Sequence, residues 1–439
     1  MGACAEDGEG APEDATDTEA SSGESGAEDS TGEEPSDSVM SDDEVQIVLT
    51  WLGPLPDAPP EDLSNAYADD PSAAALGQKL FYDARYSGNG EVSCATCHAS
   101  DEGFGDGRAN TSLGISRTGR SSPSLFNGAY GAAAEDDTNW QLWDGRADSQ
   151  WSQALGPPEN AVVMGGTRTA VALLVHDEYA QEYEEVFGPL PTLRDEQGEP
   201  LADPSFKPGM EEWDALDESL RDDVTTVYVN FGKAIAAYER LLVSRNSRFD
   251  AYWHELEAGV RDSEVLDEEE ILGLRLFIGK ARCIGCHSGP NFTDNQFHNI
   301  GVPQAGDSVP EMDVGRAGGV PKLLNDGFNC AGPWSDHPDP AQCAVDRLSE
   351  GEGEEGAFKT PSLRSINLSP PYMHTGMFPS LESVVQHYDL GGAPNGTFDG
   401  ARDELIRPLA LDAKERRALV AFILTLEGEP LDASLTGSQ

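Results

Sequence analysis

Four of the seven cysteines in the sequence lie in two copies of one short motif. The first copy reads Cys-Ala-Thr-Cys-His at residues 94–98, and the second reads Cys-Ile-Gly-Cys-His at residues 283–287. This spacing is the attachment signature of c-type haem, in which two thiols bind the porphyrin and the adjacent histidine coordinates the iron. Paired cysteines also occur in zinc sites and redox dithiols, but each copy carries its own histidine, and no further C-x-x-C completes a zinc cage. The sequence therefore predicts two covalent haem c groups, whose attachment and iron-ligating residues are Cys94, Cys97, His98, Cys283, Cys286 and His287.

The haem motifs and the three remaining cysteines indicate where in the cell the protein is located. Haem c is attached outside the cytoplasm, which predicts a periplasmic or other extracytoplasmic protein. In an oxidising compartment Cys330 and Cys343 would form a disulfide, with two free loop thiols as the alternative. Cys4 follows Gly-Ala, as the lipidated cysteine of a lipoprotein does, although no apolar signal segment precedes it here. We therefore expect either a lipid anchor at Cys4 or a cysteine without a role in an N-terminal tail.

The segments before the two motifs resemble each other and predict the elements that position the haems. Residues 76–81 read Leu-Gly-Gln-Lys-Leu-Phe, and residues 272–277 read Leu-Gly-Leu-Arg-Leu-Phe, with apolar residues at helical spacing. An internal repeat of this kind predicts two tandem cytochrome-c-like modules. Each module would begin with a helix that packs on its haem.

Further helices are predicted from one-sided apolar stripes. One covers residues 217–243 and another covers residues 411–426, where Asp412 and Glu415 have the spacing of a capping box. A shorter helix is predicted to begin at Leu381. Strand-like alternation is scarce, while 47 glycines and 29 prolines indicate long loops. The expected fold is mainly α, with two tandem haem domains wrapped by long loops.

The charge of the chain is large and unevenly distributed. With 80 acidic and 28 basic residues among 439, the formal net charge is −52. This excess argues against recognition of nucleic acid and against electrostatic docking on anionic lipid, and no apolar stretch approaches the length of a membrane span. Residues 1–44 hold 16 of the acidic residues and no lysine or arginine, which predicts a disordered tether. The predicted organisation is a tether at residues 1–46, an N-terminal haem domain at 47–214 and a C-terminal haem domain at 215–439.

Several longer motifs carry a resemblance to a known family. Residues 142–147 read Leu-Trp-Asp-Gly-Arg-Ala, residues 358–364 read Phe-Lys-Thr-Pro-Ser-Leu-Arg, and residues 371–376 read Pro-Tyr-Met-His-Thr-Gly. With Leu-Glu-Ser-Val-Val and His-Tyr-Asp in residues 381–389, they resemble the signatures of bacterial di-haem cytochrome c peroxidases, the family that includes MauG. The resemblance covers residues 76–426, most of the predicted folded chain.

The resemblance implies a peroxidase with labour divided between the haems. The N-terminal haem would reduce hydrogen peroxide, and the C-terminal haem would receive electrons from a small cytochrome c or cupredoxin. Trp143 would lie between the haems, and Gln153 falls on the position of a glutamine at the peroxide site. Family members often form homodimers. Peroxide-dependent oxidation of a side chain on a partner protein, as in MauG, is the enzymatic alternative, and a non-enzymatic electron carrier is the alternative from another class.

Two departures from the family pattern fall at the N-terminal haem. Where many members have a distal histidine that binds the resting iron, this chain has Ile115, which predicts an open iron position. Where the family has a glutamate that moves a proton between the peroxide oxygens, this chain has Val163, which carries no proton. Glu159 would replace that glutamate only if the loop folded differently, and Pro157 and Pro158 constrain the loop. The usual proton relay is therefore not visible in the sequence.

The resemblance also implies a sixth ligand for the C-terminal haem. Family members use a methionine or, in MauG-like proteins, a tyrosine, and the corresponding position here is Tyr388. A tyrosinate ligand lowers the potential of the iron and favours the MauG-like alternative. The other candidates are Met373, Met377 and His387.

Further polar positions follow from the same resemblance. His298 and His374 would line the haem pockets or meet propionates. The family binds a calcium ion between the haems through an asparagine side chain and two backbone carbonyls. The matching positions are Ser121, Ser369 and Pro371. Carbonyl ligands tolerate substitution, but serine in place of asparagine weakens the side-chain ligand.

Overall fold

Helices make up most of the regular structure in the computed structural model, which describes residues 40–131, 139–306, 308–349, 351 and 354–437. Cys4 and nearly all of the predicted tether therefore lie outside the described residues. The α-helices are α1 Asp42–Trp51, α2 Pro71–Tyr82, α3 Cys94–Cys97, α4 Gln150–Glu159, α5 Arg168–Glu178, α6 Ala180–Phe187, α7 Glu211–Asp214, α8 Glu218–Glu239, α9 Arg248–Glu257, α10 Glu268–Ile278, α11 Arg316–Leu324, α12 Leu381–Asp389 and α13 Ala413–Leu424.

Strands are scarce in the described residues, as the sequence predicts. Two short strands, β1 Phe297–His298 and β2 Phe358–Lys359, form an antiparallel pair with Phe297 opposite Lys359. Single 3₁₀ turns occur at Ser100–Glu102, Cys283–Gly285, Pro340–Gln342, Ala344–Arg347, Ile366–Leu368 and Ala433–Leu435. The remainder is loop, and the mainly α prediction is confirmed.

The predicted helix signals act where the sequence places them. Asp412 accepts hydrogen bonds from the backbone N–H groups of Lys414 and Glu415 and so caps α13, with Glu415 completing the capping box. Asp217 precedes α8 as its N-cap residue, and α12 begins at Leu381. Each of the three predicted helices is present within a few residues of its expected bounds.

The two repeated Leu-Gly segments lie at matching helix crossings. Helix α2 packs most extensively on α8, and α10 packs most extensively on α13. A Cβ atom added at Gly77 would lie 1.9 Å from the carbonyl oxygen of Ala234, and one added at Gly273 would lie 1.9 Å from that of Ala418. In both pairs the helix backbones touch at the glycine of the repeat, because no side chain fits between them.

The hydrophobic residues form two main clusters, and the helices in each do not follow one another in sequence. The first cluster contains the helix α8, including Val227 and Phe231, although the predicted boundary at residue 214 assigned this helix to the C-terminal domain. The second cluster contains Val45 and Val48 of α1. This helix begins at Asp42, inside the predicted tether, and packs with α9 and α10. Buried apolar side chains, rather than proximity in sequence, decide which core each helix joins.

The end of the described chain returns to the first cluster. Leu431 and Leu435 pack against it, and the hydroxyl of Tyr238 donates a hydrogen bond to the carbonyl of Leu435 at 2.6 Å. A disulfide joins Cys330 to Cys343, with Cα atoms 5.7 Å apart. Within the described residues, no helix combines the length and apolarity needed to span a membrane.

Candidate haem and electron-transfer site

One cavity of about 720 Å³ reaches both C-x-x-C-H motifs. Its wall contains the motif residues predicted to hold the haems, namely Cys94, Cys97, His98, Cys283, Cys286 and His287. Trp143, Gln153 and Tyr388 also line it. The structure therefore brings the predicted haem, electron-transfer and peroxide-site residues to one continuous space.

Each motif histidine is held by a backbone carbonyl in the same way. Nδ1 of His98 donates to the carbonyl of Phe104 at 2.9 Å, and Nδ1 of His287 donates to the carbonyl of Phe292 at 3.0 Å. Because a carbonyl only accepts, this bond places the proton on Nδ1 and leaves the Nε2 lone pair for iron. Burial lowers the pKa of both rings, which keeps them neutral. Phe104 and Phe292 both have positive φ, 56° and 51°, so the repeat extends to these turns.

None of the four motif cysteines forms a disulfide, so each would be available to attach a porphyrin. Burial raises the pKa of Cys94 and of Cys283 to about 12. The thiol pairs, the neutral histidines and the shared cavity together fit two haem c groups. Bound there, the haems would supply redox-active iron at His98 and His287.

Trp143 is positioned by both halves of the chain. Its indole Nε1–H donates to the carbonyl of Ser121 at 2.8 Å, and its own carbonyl accepts from the backbone N–H of Lys359 at 2.8 Å. The turn that carries it needs Gly145, whose φ is 62° and whose added Cβ would lie 2.3 Å from the ring of Phe297. The tryptophan is thereby fixed between segments that follow the first motif and segments that follow the second.

His374 lies beside this tryptophan in an aromatic group. Its ring centroid is 6.4 Å from that of Trp143 and 3.6 Å from that of Phe358, on which it stacks. Burial lowers the pKa of His374 to about 3, and the side-chain amide of Gln304 donates to its Nε2 at 2.9 Å. His374 is therefore neutral and lines the cavity, as the sequence predicts.

The cavity wall near the first motif is apolar where the family has its acid. Val162, Val163 and Met164 line the cavity, together with Gln153 of α4. The backbone N–H of Ile115 donates to the carbonyl of Val163 at 2.8 Å, which joins the 112–116 loop to this wall. The Ile115 side chain is 39% exposed, and Ile115 is absent from the cavity lining. This arrangement agrees with an iron position left open on this side.

Glu159 has another role. It is the last residue of α4, which continues through Pro157 and Pro158. Its carboxylate binds the guanidinium of Arg168, with Oε1 3.1 Å from Nε and Oε2 2.8 Å from Nη2. This ion pair directs the carboxylate away from the cavity, whose lining does not include Glu159. Glu159 therefore does not replace the missing acid.

Glu239 is a functional candidate that the sequence reasoning missed. It is the last residue of α8, lines the cavity and is 5% exposed. The side-chain amide of Gln150 donates to its Oε2 at 3.4 Å, and burial raises its pKa to about 8. No motif marked it, because its partner lies 89 positions away in the chain.

Tyr388 lies on α12 with its ring in the cavity wall beside the second motif. Burial, and then the nearby Cys286 and Cys283, raise the pKa of its phenol. Of the alternatives, His387 donates its Nε2–H to the carbonyl of Ile300 at 2.9 Å and is absent from the cavity lining. Met373 lines the cavity, whereas Met377 does not.

Two cationic groups face the second haem site. His298 lies between Asp294 and Asp403, each 2.8 Å from one ring nitrogen, and these carboxylates hold its pKa well above the usual range. Lys359 lines the cavity, and burial lowers its pKa to about 8. Both ring nitrogens of His298 are occupied, so it is not an iron ligand. The Lys359 ammonium has the charge and the position to meet a haem propionate.

Ser121, Ser369 and Pro371 all line the same cavity. The backbone N–H of Ser121 donates to the carbonyl of His374 at 2.7 Å. The three positions matched to the family's calcium ligands thus all face this cavity.

Comparison with known proteins identifies relatives of this chain. Residues 71–258 match the family model described as di-haem cytochrome c peroxidase. The cytochrome-c peroxidase IdrP1 of Pseudomonas sp. (strain SCT) is 31% identical over 409 residues, covering 88% of this chain and 89% of the relative. The methylamine utilization protein MauG of Methylorubrum extorquens is 31% identical over 368 residues, covering 83% and 81%.

Solved structures show the same architecture. A MauG-like protein associated with microbial copper homeostasis superposes with a TM-score of 0.58 at 25% identity, over 88% of this chain and 98% of that chain. The diheme peroxidase BthA from Burkholderia thailandensis E264 has a TM-score of 0.59 at 21% identity over the same shares, which bears on the fold alone. On the identity and coverage of its relatives, this chain belongs to the di-haem cytochrome c peroxidase family.

Proposed function

We propose that the protein is a di-haem oxidoreductase that reduces hydrogen peroxide at the His98 haem with electrons delivered through the His287 haem. The observation that carries this proposal is the single cavity that joins both motifs, with Trp143 fixed in its wall. A peroxide site needs an open iron position, and Ile115 and Val163 supply no ligand there. Two electrons and two protons convert one peroxide to two waters, and a second redox centre with a path to the first would deliver the electrons.

Trp143 supports the path between the two haem sites. Its indole donates a hydrogen bond to Ser121, and its backbone carbonyl accepts one from Lys359, so both the ring and the chain that carries it are held in place. The donor would be a small cytochrome c or a cupredoxin that docks near the second haem. Tyr388 would be the sixth ligand of that haem, as its place in the cavity wall beside Cys283 and Cys286 supports.

Tyr388 also favours a second candidate function. Two of the relatives in the comparison are a peroxidase and a MauG, and a tyrosine ligand lowers the potential of the second iron. A protein that stores oxidising equivalents would then oxidise a side chain of a partner protein. A non-enzymatic electron carrier remains the alternative from another class, and the loss of the usual acid at Val163 favours it.

Several finer features belong to the same proposal. The two repeated modules would be tandem haem domains, which the matching glycine crossings and the two hydrophobic clusters support. The calcium ion would bind near Ser121, Ser369 and Pro371. The Cys330–Cys343 disulfide supports a periplasmic or other extracytoplasmic location. A lipid on Cys4 would anchor the protein there, and the protein would assemble as a homodimer.

Steady-state peroxide consumption with reduced cytochrome c tests the function. We expect saturable turnover that depends on both haems and is lost when His98 is replaced by glycine. Turnover no faster than that of free haem would contradict peroxide reduction. If both haems of the oxidised protein then prove six-coordinate and low-spin, the electron-carrier alternative holds. If the protein instead retains both oxidising equivalents of peroxide in the absence of a donor, the MauG-like function is supported.

A further inference from the structure

We propose that Glu239 is the acid–base group of the first haem pocket and gives a proton to peroxide in place of the glutamate that Val163 replaces. The inference rests on the proposed peroxide reduction and names the residue that makes it feasible. Glu239 is distant in sequence from both haem motifs. It reaches the pocket from the C-terminal end of α8.

Two helices present one continuous face to this part of the cavity. On α4 the cavity-lining residues are Gln150, Gln153, Ala154 and Pro157, which follow the i, i+3, i+4, i+7 spacing of a single helix face. On α8 the lining residues are Ile235 and Glu239, one turn apart. The Gln150 amide joins the two faces by its hydrogen bond to Glu239. The carboxyl therefore lies along the same wall as Gln153.

The other carboxyl groups of the wall are already paired. Within the described residues that line the cavity, the carboxyl groups are those of Asp144, Glu239 and Asp313. Arg120 lies 2.8 Å from Asp144 and 2.7 Å from Asp313. Burial alone would raise the pKa of both aspartates, but the arginines outweigh it and hold each pKa below the usual range. Those two groups are fixed as carboxylates, which leaves Glu239 to carry a proton.

None of the groups named here that surround Glu239 is a cation that would stabilise its ionised form. From α4 it meets the neutral amide of Gln150. From the first motif Cys94 lies close enough to interact with it electrostatically, but this sulfur is a thioether once haem is attached and does not titrate. On its own helix, Tyr238 donates to the carbonyl of Leu435, and the neighbouring Arg240 binds Asp69 at 2.8 Å. Burial without a cation raises the pKa of Glu239 to about 8, so the group is protonated at neutral pH and able to release its proton.

The proton balance is simple. As the O–O bond breaks, Glu239 gives one proton to the departing oxygen, directly or through one water, and that oxygen leaves as water. The donor protein supplies two electrons, and solvent supplies the second proton for the other oxygen. Glu239 then recovers its proton from solvent, so one peroxide consumes two electrons and two protons and gives two waters.

The first test is infrared spectroscopy of the oxidised, haem-loaded protein. We expect a protonated-carboxyl band at neutral pH that disappears as pH rises through about 8, is lost in Glu239→Gln, and shifts when cyanide is bound in the first haem pocket. A wild-type spectrum without this band, or a band whose frequency does not change when cyanide binds, would overturn the proposal. This readout does not depend on turnover.

The second test compares peroxide turnover in three variants. We expect kcat/KM for peroxide to fall about a hundredfold in Glu239→Gln, with unchanged haem content and spectra, and to recover in part in Glu239→Asp. Glu159→Gln is the matched control, since its carboxylate serves Arg168, and it should keep wild-type turnover. Equal turnover in Glu239→Gln and wild type, or a loss confined to Glu159→Gln, would overturn the proposal. Absence of turnover in the wild type would instead refute the proposed function, with the infrared band still reporting on Glu239.

Discussion

The chemistry of this chain depends on a few side chains whose protonation is set by burial and by their immediate hydrogen-bond partners. His98 and His287 each donate Nδ1–H to one backbone carbonyl, which fixes the nitrogen left for iron. His374 is kept neutral by burial beside Trp143, whereas His298 is kept charged by two aspartates. Similar imidazoles therefore serve different purposes because their partners differ in charge.

Tyr388→Phe tests the ligand of the second haem. The substitution removes the phenol oxygen and keeps the ring that fills the cavity wall. We expect the low-spin signal of a histidine–tyrosine haem to disappear from the EPR spectrum of the oxidised protein, and the reduction potential of that haem to rise. Met373→Leu is the control, because Met373 also lines the cavity. A low-spin signal that survives in Tyr388→Phe and disappears in Met373→Leu would identify methionine as the ligand.

Trp143→Phe tests the path between the haems. The smaller ring loses the hydrogen bond to Ser121 and leaves a gap in the cavity wall. We expect both haems to remain attached, while oxidation of the second haem after peroxide addition slows by about tenfold or more in stopped-flow traces. Trp51→Phe is the control, since Trp51 is 59% exposed and does not line the cavity. An unchanged rate in Trp143→Phe would show that electrons take another route.

Sequence reasoning identified the residues that carry a motif and missed those that act through folding. The attachment cysteines, Trp143 and Tyr388 stand in recognisable patterns, and the structure brings all of them to one cavity. The carbonyls of Phe104 and Phe292 carry no pattern, because any residue has a carbonyl. Glu239 is visible only once α8 is packed on α4, since its proximity to Gln150 is a property of the helix pairing.

At the scale of helices, the sequence repeat reports a packing constraint. Gly77 and Gly273 occupy the same place in Leu-Gly-x-x-Leu-Phe, and each allows two helix backbones to meet. The periodicity predicted the helices, but it did not predict that the glycine would be the contact point. The periodicity likewise did not predict which core α1 and α8 join, since each packs in the core that buries its apolar face.

Gly273→Ala tests this constraint. The added methyl would lie 1.9 Å from the Ala418 carbonyl, so α10 and α13 must separate. We expect a loss of about 1–3 kcal/mol in the free energy of unfolding. Gly156→Ala is the matched control, because that glycine lies in α4 with no atom within 4 Å of the added Cβ. Chemical denaturation followed by circular dichroism measures both, and equal stability of the two variants would refute the contact.

At the scale of the whole molecule, the ends of the described chain support opposite cores. Helix α1 packs in the second cluster, and the segment around Leu435 packs in the first. Glu44 of α1 binds Arg275 of α10 at 2.8 Å, and Gln78 of α2 donates to the carbonyls of Ser434 and Gly437. Each core is thus completed by residues distant in sequence, which no local pattern in the sequence predicts.

The net negative charge of the molecule affects its encounter with an electron-donor protein rather than its fold. Of the 80 acidic residues, 16 lie in residues 1–44, so 64 acidic and 28 basic residues leave a formal charge of −36 on residues 45–439. A surface with this excess attracts a basic redox protein and increases the rate of encounter, an effect that salt screens. We expect turnover with a basic cytochrome c to fall steadily as ionic strength rises. Turnover with a small neutral reductant should stay constant over the same range, because an uncharged reductant is not attracted by the negative surface. A flat response with the basic donor would mean that the acidic surface serves solubility alone.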